Sequence, residues 1–124
     1  MKFLISLTTV FFVSLQANNC HQKKTDPTLH KGKLEIKALC MNYTIRLTEG
    51  TLDTSRIAAN WTDETTGKSY TNVFGLANPC DFPADIKQGD EFYFRLDTVK
   101  ARNCAVCMAY YPTPAKKLII KIVK

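Results

Sequence analysis

The sequence predicts an all-β domain, a small six-stranded antiparallel barrel or sandwich stabilised by disulfides. Three observations carry that prediction. Beyond residue 34 apolar residues recur with period two, glycine and proline interrupt them at short intervals, and no stretch carries the stripe of an amphipathic helix. With 124 residues there is room for one domain, and 45% hydrophobic with 23% charged residues is an ordinary globular composition.

The elements follow in order. Leu34, Ile36 and Ala38 alternate with Glu35 and Lys37, and Tyr43, Ile45 and Leu47 then alternate with Thr44, Arg46 and Thr48. The phase changes across Cys40-Met41-Asn42, which requires a bulge or a tight turn, because one extra residue sends every following side chain to the other face. This stretch is taken as one long strand, bent at that point and ended by Glu49-Gly50. Ile57 to Thr62, carrying Trp61, and Ser69 to Leu76 form a hairpin around the Gly67-containing loop. Asn78-Pro79-Cys80-Asp81-Phe82-Pro83 holds two prolines without ladder donors and is expected to be a long connection. Ile86 to Asp90 turns into the strand Glu91 to Leu96, where Phe92, Phe94 and Leu96 face one way and Tyr93 and Arg95 the other. Asn103 to Tyr111 and Leu118 to Val123, separated by Pro112-Thr113-Pro114, complete the set.

The N-terminus sets the compartment. Phe3 to Leu15 is an apolar run behind Met1-Lys2, shorter than the roughly 20 residues that a membrane-spanning helix requires, and it matches the apolar region of a secretory signal. Residues 1–19 are therefore read as a signal peptide. His21 to Lys33 is too polar to bury the surface that folding needs, so residues 20–33 are read as a tether and residues 34–124 as the folded domain. Export makes disulfides durable. The chain has five cysteines, and setting Cys20 aside leaves Cys40, Cys80, Cys104 and Cys107, an even set.

Cys20 stands where a bacterial lipoprotein signal is cut and its new terminal cysteine acylated. Leu15-Gln16-Ala17-Asn18-Asn19-Cys20 resembles such a signal, with Ala17 and Asn19 in place of the usual leucine and small residue. With its long, bent first strand, the loop between its third and fourth strands and its small size, the chain resembles a small cell-envelope lipoprotein with an oligonucleotide/oligosaccharide-binding-like barrel over residues 34 to about 111. That resemblance implies lipidation at Cys20 and a bacterial outer-membrane or periplasmic location, with the lipid as the sole membrane contact. Cleavage after Ala17 would instead give a secreted protein. An immunoglobulin-like sandwich is the competing fold; Trp61 lies between Cys40 and Cys80, but the spacing suits that fold poorly.

Cys104-Ala105-Val106-Cys107 has four readings. A redox centre belongs at a helix N-terminus, whereas Val106, Met108 and Tyr110 alternate as in a strand. A haem attachment needs histidine where Met108 stands, and a zinc ribbon needs a second short-spaced pair that Cys40 and Cys80 do not form. Structural disulfides remain. In an extended strand, residues three apart lie about 10 Å from one another and bridged Cα atoms within about 7 Å, so Cys104 and Cys107 should each take one of Cys40 and Cys80. Which takes which is open, and a local turn would restore the direct pairing.

The two histidines, His21 and His30, fall in the tether, which leaves the domain without an imidazole for Ser-His-Asp or Cys-His chemistry. Asp81, Asp85, Asp90 and Glu91 cluster in sequence but sit in turns, where carboxylates usually serve backbone donors. The glycines are isolated, so no phosphate loop is present. No catalytic residue, metal or cofactor is assigned. The net charge is +6, with 17 Lys and Arg against 11 acids, which favours anionic partners. Tyr110, Tyr111, Lys116 and Lys117, with Trp61 as a second stacking candidate, form the expected binding surface, suited to a protein or an anionic glycan, without specific nucleic-acid recognition. The expected function is a non-enzymatic, lipid-anchored envelope domain that binds a partner through its barrel surface. The rivals are a protein inhibitor of an enzyme and a thiol-disulfide redox protein using Cys104 and Cys107.

Overall fold

A computed structural model describes residues 26–100 and 102–124. The signal peptide expected at 1–19, Cys20 and the first part of the tether lie outside the described residues. Among the described residues seven strands form one sheet: β1 His30–Ala38, β2 Asn42–Glu49, β3 Ala58–Thr62, β4 Ser69–Leu76, β5 Glu91–Leu96, β6 Lys117–Leu118 and β7 Ile120–Val123. The order is β3-β4-β2-β1-β5-β7, with β6 beside β4. Every pairing is antiparallel except β4 with β6. The all-β expectation holds, and among the described residues no helix is long and apolar enough to cross a membrane.

The period-two pattern does what it should. Leu34, Ile36, Ile45, Phe74, Phe92 and Phe94 turn inward, joined by Leu52, Ile57, Leu76, Leu118 and Ile120. Phe74, Phe92 and Phe94 stack at tilted angles, with centroids 5.7 and 6.0 Å apart, the geometry that aromatic quadrupoles favour. Gly32 sits in β1 over this packing. A Cβ there would lie 3.0 Å from both Ile45 Cγ2 and Phe94 Cε1, so the absent side chain lets the rings approach the backbone.

The elements differ from the sequence reading in several places. The long bent strand is two strands, because Leu39–Met41 makes a 3-10 turn in which Cys40 and Met41 take left-handed φ values of 57° and 59°. The phase switch thus marks a reversal of direction. β1 begins at His30, inside the segment read as tether: His30 to Lys33 pair with Phe94 to Glu91, and the His30 ring is buried 5.4 Å from that of Phe94. Asn103 to Tyr111 is no strand, for reasons given below.

The last strand is divided by Ile119, and the division serves both neighbours. Lys117 and Leu118 pair with Gly75 and Leu76, while Ile120 to Val123 pair with Leu96 to Tyr93. Asn78 supports the junction. Its buried side-chain amide donates to the Ile120 carbonyl at 2.7 Å and its oxygen accepts the Ile120 N–H at 3.0 Å. A side chain here takes over the ladder bonds that a strand would supply.

Candidate binding segment

From Arg102 to Pro114 the backbone runs without a turn, a bend or a ladder partner. Among the described residues, no backbone–backbone hydrogen bond involves residues 102–111. What holds this segment is covalent and side-chain chemistry. Cys104 is bonded to Cys80, in the 3-10 turn Pro79–Asp81, with Cα atoms 5.8 Å apart, and Cys107 to Cys40, in the β1–β2 turn, at 5.0 Å. Cross-pairing was expected, and the structure settles its connectivity. The redox reading needs the two sulfurs bonded to each other, and each is bonded to a different element.

Polar side-chain contacts add to the disulfides. Arg102 Nε donates to Asp81 Oδ1 at 2.7 Å. Asn42 Nδ2 donates to the carbonyls of Leu39 at 3.0 Å and Ala109 at 3.1 Å, so one amide ties the β1–β2 turn to the segment. The Tyr111 hydroxyl donates to Asp63 Oδ2 at 2.5 Å. Beyond it Pro112 and Pro114 are buried, and they leave no orphan N–H because proline has none.

Asp63 is 1% exposed and begins the β3–β4 loop, where it also accepts from the N–H and hydroxyl of Thr65. Burial pushes its carboxyl up, but the Thr65 and Tyr111 donors outweigh that and hold it below the usual carboxylate range. The same bond to Asp63 raises the Tyr111 phenol.

The side chains between these anchors face solvent. Met108 is 99% exposed, Tyr110 82% and Val106 45%, with Leu39 of the neighbouring turn also exposed. An open groove between turn and segment is lined by Lys37, Leu39, Met41, Tyr43 and Val106. The apolar alternation of Val106, Met108 and Tyr110 that reads as a core-facing strand therefore points outward. Nothing in the sequence pattern separates an inward alternation from an outward one.

The expected surface is only partly assembled. Trp61 packs across the ladder on Tyr70, with ring centroids 5.9 Å apart. Tyr111 is committed to Asp63. Lys116 is turned toward the carbonyls of Thr54 and Ile57 at 3.4 and 3.3 Å, and Lys117 lies over Gly75. Tyr110 alone stands free, beside Met108 and Val106, which the sequence reading did not single out as a surface. The carboxylates that cluster in sequence are dispersed: Asp81 pairs with Arg102, Asp90 accepts the Lys87 N–H and Glu91 pairs with Lys31. The ion pairs of Arg46 and Lys33 with Glu35, and of Arg95 with Asp26, occupy further cations.

Fold and site together define a disulfide-braced β domain that presents a pinned, extended and partly apolar segment. No protein-family model, curated protein or solved structure matches this chain. Its two disulfides suit an oxidising, exported location.

Proposed function

We propose that this is a non-enzymatic exported domain, anchored through an acylated Cys20, which binds a protein partner with the segment Arg102–Tyr111. One observation carries the reading. An extended run of exposed residues is held at Cys104, Cys107, Ala109 and Tyr111, and its own amides and carbonyls pair with no other backbone. Ordering a flexible loop costs free energy at the moment of binding, and a loop ordered in advance avoids that cost. The apolar side chains favour a protein over an anionic glycan, since Lys116 and Tyr111 already serve the fold.

The barrel expectation belongs to the same proposal. Residues 117–123 pair with β4 through β6 and with β5 through β7, which supports the proposal of a sheet rolled toward a ring β1-β2-β4-β6/β7-β5, with β3 as an added edge strand. The binding segment would then run outside that ring. A second reading, inhibition of an enzyme, is favoured by the unpaired extended backbone, because active-site clefts take up chains in that conformation.

The test is site-directed photo-crosslinking. A crosslinker at position 110 should trap one partner in the intact envelope, and Val106→Asp with Met108→Asp should abolish the adduct. A crosslinker at Lys124 should trap none. Adducts of equal yield from both positions would remove the segment from the interface.

A further inference from the structure

We infer that Met108–Ala109 is the reactive bond of a substrate-like inhibitor, and that the occupant of this surface is the cleft of a serine protease with an apolar S1 pocket. The inference rests on the partner-binding reading above and specifies it. A protease cleft takes its substrate extended, pairs with its backbone and buries the side chain before the scissile bond. Residues 106–110 meet each requirement. They run without turn or bend, their backbone has no other backbone partner, and Met108, at 99% exposed, is the most outstretched large apolar side chain of the described residues.

Exposure alone would make a good substrate. What makes an inhibitor is retention of both ends, and here both flanks of the bond are tied to one turn. Cys107 is bonded to Cys40 on the N-terminal side, and the Ala109 carbonyl accepts from Asn42 Nδ2 on the C-terminal side. Cys40 and Asn42 flank Met41. Tyr111 on Asp63 and the buried Pro112 and Pro114 hold the departing side further along.

The chemistry then runs as a reversible acyl transfer. The protease serine Oγ adds to the Met108 carbonyl carbon, and its proton passes to the enzyme's base. The bond to the Ala109 nitrogen breaks, and that nitrogen leaves as an amine carrying the proton. Held in place, the amine has a high effective concentration. It adds back to the acyl carbon and expels the serine, which recovers its proton, before water enters.

The decisive experiment titrates the purified, disulfide-intact protein against chymotrypsin, an elastase and subtilisin, with trypsin as comparison. Stoichiometric inhibition of at least one of the first three is expected. Met108→Asp should weaken it by about 100-fold, as loss of a central anchor does, and Met108→Lys should transfer inhibition to trypsin. Because this side chain touches solvent only, neither variant threatens folding. Mass spectrometry should find slow cutting confined to Met108–Ala109. Rapid cleavage of the segment without inhibition, no inhibition of any of the three, or inhibition indifferent to Met108→Asp would each overturn the inference. A chain that inhibits nothing yet crosslinks its partner through position 110 would lose the protease and keep the binding domain; one that does neither would lose both.

Discussion

At the scale of single residues, buried His30 and half-buried Tyr111 give the domain a defined response to pH. His30 is buried against Phe94, with Nδ1 lacking a partner among the described residues, and Gly50 lies so close that a Cβ there would come within 2.6 Å of that nitrogen. Burial holds its imidazole below the ordinary value of 6.5, against the opposing pull of Asp26. The unfolded chain therefore takes up the proton first as pH falls. Stability contributed by neutral His30 is complete above about pH 6.5 and is lost as pH falls through the lower folded value. Denaturant titrations at pH 7.5 and 5.5 should show wild type losing stability and His30→Phe losing much less; equal losses would contradict this. At the other end of the scale, Tyr111→Phe should lower the melting temperature and remove one of two phenols that titrate above the ordinary 10.0 in ultraviolet difference spectra, the other being Tyr70, which burial raises. A late-titrating amplitude in the variant equal to that of the wild type would contradict this.

At the scale of elements, the β1–β2 turn links the sheet to the segment 102–111. Its two consecutive left-handed residues lack the freedom of glycine, and each such conformation costs of order 1 kcal/mol in an L-residue. Met41→Gly should therefore stabilise the domain by about 1 kcal/mol, provided the cysteine beside it keeps its bridge, and a loss of stability in equilibrium unfolding would refute the account. The sequence legibly marks this turn as a phase change at Cys40-Met41-Asn42, though not whether it bends or reverses the chain, since both shift the inward set by one position. Strands β3, β4 and β5 are equally legible from their bounding turn residues, and β5 also from its alternating faces. Asn103–Tyr111 misleads for a physical reason. Alternation reports a two-faced extended chain, and an extended chain held by sulfur rather than by a ladder alternates in the same way. His30 misleads in reverse: polar neighbours such as Lys31 and Lys33 mask a strand whose inward face carries a histidine and Gly32, both poor hydrophobic markers.

For the whole molecule, the disulfides are the largest discrete contributions to stability. The Cys40–Cys107 bridge spans a sequence separation of 67 and Cys80–Cys104 one of 24. The chain-entropy relation then gives about 4.4 and about 3.5 kcal/mol respectively. Removing the first pair as Cys40→Ala with Cys107→Ala should thus cost more than removing the second, as thermal or denaturant unfolding would reveal; the opposite order would point to strain or residual structure outweighing loop entropy. Peptide mapping without reductant should return these two bridges and no free thiol among the four. None of the four cysteines belongs to the apolar cluster around Phe74 and Phe94. The side chains of Val106, Met108 and Tyr110 contribute nothing to that cluster either, so a change at any of them is nearly silent in folding free energy. If the segment binds as proposed, random substitution in this stretch would therefore be filtered by what it binds and hardly at all by whether the chain folds. A lineage carrying such a domain could exchange one target for another in single steps, with no intermediate that fails to fold.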